Sequence, residues 1–281
     1  VAFDVTSGVQ SFTSANQSPA FNERMKKAFA DYWKVSPYEM YDLTKTYERG
    51  SNESLAAFMP GIVGLTVRGH ETSMNHPFFI YGEARKDGTV GDDVFIGVFP
   101  VNGFHYEFDP KAKYYYDRAL LRIPYMVYNL NDMLTYLKTK ENEKGYDDYV
   151  AAKTARLAKK TLIIPKDLVA EWDVNPATTA LMKGRVEAGQ KDMKEIKASV
   201  LDEGDISYGG KFRIMSNEEI LKLEQSADAA NYALFLPAIN HHKYIMVFDL
   251  STKELLYFET VTMGMRVKEK DFDKLNKAIG F

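Results

Sequence analysis

Only five histidines occur in the 281 residues, and four of them fall in two short stretches that precede apolar runs. His70 and His76 lie in one stretch, and His241 and His242 lie in the other. Imidazole is the commonest metal ligand in proteins, so His76 and His242 are the candidate ligands. The simpler interpretation is a pair of loops with solvated histidines, because neither stretch has the second helical histidine of a zinc protease. No metal site is therefore predicted.

A dense group of aromatic residues is the second candidate site. Tyrosine combines an apolar ring with a polar hydroxyl, which suits the binding of sugars or peptides. The alternative is packing in the core or between domains. The candidate ligand-binding residues are Tyr114, Tyr115, Tyr116, Tyr125 and Tyr128.

Several kinds of chemistry have no motif in this chain. The absence of cysteine excludes thiolate catalysis, disulfides and iron–sulfur clusters. There is no Gly-x-Gly-x-x-Gly, no phosphate-binding P-loop and no Gly-x-Ser-x-Gly elbow. Residues 87–93 resemble a calcium loop in composition, but a hairpin turn explains them without a ligand. No cofactor is predicted, and the net charge of −3 gives no indication of nucleic-acid binding.

The surrounding pattern predicts both helices and strands. Apolar residues from Phe21 to Trp33 follow a helical period, and residues 272–279 repeat that pattern at the end of the chain. Residues 55–67, 78–84, 94–99 and 161–164 read as strands. Residues 68–77 are predicted to form a polar connection. Residues 177–188 and 193–201 are predicted to be helical. Residues 114–128 fit a helix or a strand, with a break at Pro124.

Part of the pattern occurs twice. Residues 36–40 and 216–220 both read Ser-x-x-Glu followed by an apolar residue, which is typical of a helix start. Residues 56–62 align with residues 233–239, where both segments contain Phe-x-Pro. Residues 76–80 then align with residues 242–246, which pairs His76 with His242. Three matched segments in the same order predict an internal repeat.

The predicted fold class is therefore α+β, with two related domains. Each domain is expected to hold a mainly antiparallel sheet with covering helices. The small and polar residues 1–19 are expected to form a flexible leader. Residues 20–145 and residues 146–281 are the two predicted domains.

Two further segments carry a resemblance to a group of known proteins. These are residues 30–38, Ala-Asp-Tyr-Trp-Lys-Val-Ser-Pro-Tyr, and residues 161–167, Thr-Leu-Ile-Ile-Pro-Lys-Asp. With the two-domain layout, they resemble uncharacterised exported proteins of Gram-negative bacteria, which are often lipid-anchored and contain two related α/β domains. The resemblance implies export, and it transfers no activity and no functional residue.

These observations lead to one functional prediction and two alternatives. The chain begins with Val1, and its first residues resemble the segment that follows a removed signal or anchor sequence. No apolar run reaches the ~18 residues of a membrane helix. We predict an exported, periplasmic or cell-surface protein that binds a protein, peptide or carbohydrate without catalysis. The alternatives are a hydrolase with its site between the domains and a subunit of a cell-surface assembly. The sequence does not define an oligomeric state.

Overall fold

The computed structural model describes residues 2–4, 19–38, 40–42, 56–67, 70–83, 97–100, 113–139, 145–169, 203–240, 242–262 and 267–281. The chain divides into two compact units, Val1–Thr139 and Lys140–Phe281. The predicted division between residues 145 and 146 lies close to this boundary. Among the described residues, each unit contains one β-sheet.

The first unit contains a five-stranded sheet with the strand order β2-β1-β3-β4-β5. Strand β1 is parallel to both of its neighbours, whereas β3, β4 and β5 form an antiparallel meander. Its elements are β1 (Ala2–Asp4), α1 (Pro19–Tyr32), β2 (Met40–Asp42), β3 (Ala56–Val67), β4 (His70–Glu83), β5 (Gly97–Pro100) and α2 (Lys113–Thr139).

The second unit contains a six-stranded sheet with the order β11-β10-β8-β6-β7, and β9 also pairs with β10. Its strands are β6 (Thr161–Pro165), β7 (Phe212–Met215), β8 (Tyr232–Phe235), β9 (Ala238–Asn240), β10 (His242–Asp249) and β11 (Leu255–Thr262). Its α-helices are α3 (Tyr146–Ala151), α4 (Lys166–Val169), α5 (Asn217–Glu224) and α6 (Glu269–Ile279). Short 3₁₀ helices span Thr154–Lys159, Glu203–Asp205 and Ala227–Asn231.

The mixed α and β fold is confirmed, and each sheet combines antiparallel strand pairs with parallel ones. Strand β6 is parallel to both β7 and β8, as β1 is to β2 and β3. The connection from β7 to β8 contains helix α5. Such long crossovers return the chain to the same end of the sheet and make the strands parallel. The sequence pattern of single strands carries no information on this direction.

Three local predictions differ from the structure. Ala2–Asp4 lies in the predicted leader but forms strand β1. The predicted polar connection at residues 68–77 is mostly strand, because His70 pairs with Val67 and extends the β3–β4 ladder. Ser216 does cap helix α5, whereas Ser36 lies before a strand, since Met40 pairs with β1. The predicted helices at residues 177–188 and 193–201 lie outside the described residues.

Helix α2 continues through Pro124 rather than breaking there. Residues 121–127 are all buried, so the helix has no polar face along these two turns. A helix that is surrounded on all sides lacks the amphipathic period, which explains why the sequence alone left its type open. Its apolar residues pack against Met25, Ala28 and Phe29 of α1 and against Trp33 directly after it, as the helical stripe predicts.

The core of the second unit lies between the sheet and helix α6. Phe235 of β8 stacks on Phe272 of α6 with ring centroids 5.2 Å apart. Ile245 and Val247 of β10 lie in the same cluster, together with Leu275 and Ile279 of α6. The alternation along β10 and the helical period of α6 place these side chains on facing surfaces. The predicted C-terminal helix is thus confirmed.

Candidate functional site

The described residues bring charged side chains together at the contact between β10, β11 and helix α6. Alternate residues of a strand share one face, and residues three apart share one side of a helix. These two periods place five polar groups near one another: Lys243, Tyr257, Glu259, Asp271 and Lys274.

Lys243 and Asp271 form an ion pair in the interior. The Lys243 Nζ atom donates to Asp271 Oδ2, and the side chains are 1% and 0% exposed. Asp271 Oδ2 also accepts the backbone N–H of Lys268 at 2.7 Å, at the start of α6. The second carboxylate oxygen, Oδ1, is buried without a hydrogen-bond partner. Such a buried pair contributes little net stability, although removing one partner is strongly destabilising.

A second, more exposed pair lies beside the first. Tyr257 Oη donates to Glu259 Oε2 at 2.7 Å, and Lys274 Nζ donates to Glu259 Oε1. Burial and the Glu259 carboxylate both raise the pKa of Tyr257. The hydroxyl therefore keeps its proton at neutral pH and acts as a hydrogen-bond donor rather than as a nucleophile.

A further ion-pair network connects the turn between β10 and β11 with the 3₁₀ helix Thr154–Lys159 and its two flanking lysines. Asp249 accepts from Lys160 Nζ at 2.9 Å, and Arg156 Nη2 lies 3.6 Å from the same carboxylate. Glu254 contacts Lys153 Nζ at 2.9 Å and Arg156 Nη1 at 2.5 Å. Both acidic groups are thus neutralised by cations from one short segment.

The network shifts the titration of its acidic groups. Burial alone would raise the pKa of Asp249, but hydrogen bonds from Lys160, Thr252 and Ser251 outweigh it and lower the pKa. Burial would also raise the pKa of Glu254, but hydrogen bonds from Lys153 and Arg156 outweigh this effect and lower the pKa. Both carboxylates are therefore ionised at neutral pH, which suits ion pairing rather than proton transfer.

One more pair joins the same turn to helix α5. Lys253 Nζ lies 2.9 Å from Glu224 Oε1, and each side chain is 4% exposed. Lys253 has a φ of 70°, in the left-handed region that non-glycine residues seldom adopt. Its ammonium also donates to the carbonyl of Leu250. The tight turn after β10 is therefore held by charge as well as by backbone hydrogen bonds.

The predicted metal ligands lie in strands rather than in loops. His76 belongs to β4, and His242 begins β10 and pairs with Asn240 and Thr262. In the part of the chain that the structure describes, no three His, Asp or Glu side chains form a group that could hold a metal ion. The calcium-like residues 87–93 lie outside that part. His76 and His242 stay the candidate ligands named from the sequence, for which no metal site is predicted.

The predicted tyrosine site lies on one helix. Tyr125 is 1% exposed, so its ring belongs to the protein interior. Tyr128 is half-buried and meets Tyr32 of α1 edge to face, with ring centroids 5.8 Å apart. Positions 114–116 are consecutive in the first turn of α2, where successive positions are rotated by about 100°. The helix groups these residues along the chain, and their ligand-binding role stays a prediction.

Comparison with known proteins adds no name and no activity. No protein-family model, no curated protein and no solved structure matches this chain. Among the described helices, none combines the length and the apolar character needed to cross a membrane.

The sequence reasoning did not single out the charged residues of the second unit. One signal was available, because Lys243 alternates with Ile245 and Val247 on the buried face of β10. A lysine at an inward position needs a buried partner. The identity of that partner, Asp271, depends on how α6 crosses the sheet, which no sequence period specifies.

Proposed function

We propose that this chain is an exported interaction protein without catalytic activity, built from two related domains. The observation that supports the relation is the strand arrangement of the two sheets. Reading from β2 to β5 in the first unit, successive strand pairs are parallel, parallel, antiparallel and antiparallel. Reading from β7 through β6, β8 and β10 to β11 in the second unit gives the same series. The chain order of the matched strands is also the same.

Strand register supports the relation at single-residue level. The aligned residues Phe58 and Phe235 pair with Tyr81 and Val247. Tyr81 and Val247 are also aligned with each other, because they follow directly after the matched segments 76–80 and 242–246. The alignment of residues 56–62 with 233–239 is independent of the alignment of residues 76–80 with 242–246. Together they predict the same cross-strand pair in both sheets.

The same holds further along the hairpin. Gly61 pairs with Phe78, and the aligned Ala238 pairs with Tyr244. The next aligned pair is Ile62–Pro77 in one sheet and Ile239–Lys243 in the other. A slip of one residue would turn every side chain to the opposite face, so repeated agreement supports common descent of the two segments.

Residues 56–62 and 233–239 are identical at every second position. The shared pattern is Ala-x-Phe-x-Pro-x-Ile, and alternate strand positions lie on one face of the sheet. In the second unit, Ala233 and Phe235 of this face belong to the core covered by α6. In the second unit these shared positions contribute to packing, which favours a common architecture over a common catalytic site.

The lysine of the buried ion pair is not shared. Lys243, which forms the buried ion pair with Asp271, aligns with Pro77 in the first unit. The charges of the second unit are paired with one another on the scaffold. This difference favours an interaction protein in which the two domains present different surfaces. The hydrolase alternative, with a site between the units, stays a prediction.

The relation of the domains can be tested by exchanging one strand. The substitutions Ala57→Leu, Met59→Leu and Gly61→Ala give residues 56–62 the sequence of residues 233–239. We expect the melting temperature to change by no more than about 3 °C, because the shared face is untouched. The control places the same three residues on that face, as Phe58→Leu, Pro60→Leu and Ile62→Ala. If both variants have equally lowered melting temperatures, the two domains are not related by the alignment of residues 56–62 with residues 233–239.

The absence of catalysis and of metal can be tested on the full chain. Native mass spectrometry and elemental analysis should show a chain without a stoichiometric metal ion. Chromogenic esters, phosphates and glycosides should not be hydrolysed above background. Either a stoichiometric metal or turnover of one substrate class would contradict the proposal. Fractionation of the source cells tests export, since recovery with cytoplasmic proteins would contradict it.

A further inference from the structure

Strands β3 and β4 extend beyond the other strands of their sheet. Strand β1 pairs with β3 only at Phe58, and β5 pairs with β4 only at residues 78–81. Beyond these points, residues 64–67 of β3 pair with residues 70–73 of β4. No other strand in the described part of the chain joins them. We call residues 62–77 the ribbon.

The ribbon has no counterpart in the second unit, an inference that rests on the proposed relation of the domains. Fourteen residues, 63–76, separate Ile62 from its partner Pro77. Only three residues, 240–242, separate the aligned Ile239 from its partner Lys243. The first domain therefore carries eleven additional residues at this hairpin. Insertions on a shared scaffold are where binding surfaces arise most readily.

The two edges of the ribbon differ in composition. Residues 62–67, on β3, read Ile-Val-Gly-Leu-Thr-Val and contain neither a charge nor a proline. The β4 side carries His70, Glu71, His76 and Pro77. Charges and prolines are the usual protection of an edge strand against pairing with another chain. The β3 edge lacks that protection.

The two edges of the second sheet are protected. Thr154 Oγ1 donates to the carbonyl of Leu256 on edge strand β11 at 2.8 Å. The opposite edge of that sheet, β7, has only four residues and carries the exposed Arg213. The uncharged β3 edge therefore differs in its protection from the two edges of the second sheet.

We propose that the β3 edge of the ribbon pairs antiparallel with the same edge of a second copy of this chain. Around a two-fold axis through Leu65, Val63 would lie opposite Val67 and Gly64 opposite Thr66. The pair Val63–Val67, which occurs twice in this arrangement, joins two β-branched residues, which is favourable across antiparallel strands. No charge opposes a like charge.

The stability of the ribbon gives a second reason for a partner strand. A two-stranded ribbon alone is marginally stable in water. Two ribbons joined along β3 form a four-stranded sheet, in which both β3 segments become central strands. An isologous two-fold contact of this kind is the commonest form of protein association. The uncharged edge then faces a partner, and the charged β4 edges face outward.

Sedimentation of the full chain over a range of concentrations tests this pairing. The wild type should show a monomer–dimer equilibrium. Thr66→Lys places a charge on the β3 edge while Glu71, its register partner, compensates within the ribbon. We expect this substitution to weaken dimerisation at least about tenfold. The matched control is Thr72→Lys on β4, which should change the dissociation constant less than about threefold. A wild type that stays monomeric, or equal effects of both lysines, would overturn the proposal.

A graft separates this proposal from the relation of the domains. Residues 63–76 are replaced by Asn-His-His, the three residues that occupy the same place in the second unit. We expect a folded monomer. A folded dimer would overturn pairing through the ribbon and leave the domain relation intact. If the graft unfolds while Thr66→Lys still abolishes the dimer, the alignment of the two hairpins is wrong and the pairing stands.

Discussion

Arg24 Nε donates a hydrogen bond of 3.2 Å to the carbonyl oxygen of Leu120. Pro124 lies four residues after Leu120 in helix α2 and has no N–H, so the usual helical bond to this carbonyl cannot form. A partly buried carbonyl without a donor destabilises the fold. Arg24 of α1 thus supplies, from a neighbouring helix, the donor that the proline removes.

We expect Arg24→Met to lower the free energy of unfolding by about 1–3 kcal/mol, because the Leu120 carbonyl then loses its donor. Adding Pro124→Ala should recover much of this loss, since the N–H of the new alanine can bond the same carbonyl. Urea unfolding of the full chain measures both effects. Lys26→Met is the control, because the contact described for Lys26 is an exposed ion pair with Glu23 at 3.1 Å. An effect of Arg24→Met no larger than the control would contradict this account.

Asp271→Asn should cost about 3–5 kcal/mol, because it leaves the buried Lys243 ammonium without its counter-ion. Asparagine keeps an oxygen that can accept from the Lys268 N–H. Adding Lys243→Met removes the uncompensated charge, so the double variant should recover most of the loss. Lys274→Met, which breaks the half-exposed pair with Glu259, should cost less than about 1 kcal/mol. A double variant as unstable as Asp271→Asn alone would show that the charge is not the cause.

Acid should destabilise the second unit through Asp249 and Glu254. Their pKa values are lower in the folded protein than in the unfolded chain, so they stabilise the fold above the ordinary carboxyl pKa of about 4. That contribution is lost as the pH falls through the folded values. Thermal melts from pH 7 to pH 2 should show a flat region and then a decline. In Asp249→Asn the melting temperature should already be lower at pH 7 and should fall less in acid. An unchanged slope below pH 4 would remove Asp249 from the explanation.

Gly209→Ala should destabilise the second unit because its new methyl group would lie 2.9 Å from the Cβ atom of Phe281. The loop cannot retreat easily, since the Gly209 N–H donates to Asn276 Oδ1 at 2.8 Å. We expect a loss of about 1–3 kcal/mol, as for other overpacked sites. Gly145→Ala, where nothing lies within 4 Å, is the control and should be nearly neutral. Phe281→Gly, which removes that Cβ atom and the ring, should relieve most of the Gly209→Ala effect, and failure to do so would place the strain elsewhere.

The sequence by itself determined the elements whose apolar residues follow a regular period. Helices α1 and α6 show one apolar side, and strand β6 is a short apolar run, so each was predicted close to its observed position. The capping box at Ser216 was equally local, because Ser216 and Glu219 bond each other's backbone within one turn. The aligned residues 56–62 and 233–239 were also visible in the sequence. These features depend on neighbours within a few residues, which is why they could be read without a structure.

Tertiary structure alone decided the features that join distant residues. Residues 121–127 of helix α2 are buried on all sides and therefore show no period, and Pro124 is tolerated there because Arg24 bonds Leu120. The parallel direction of β6 relative to β7 and β8 follows from the crossovers between them. The pairing of Lys243 with Asp271 depends on where α6 crosses β10. In each case the stabilising partner is far away in the chain, so local pattern cannot specify it.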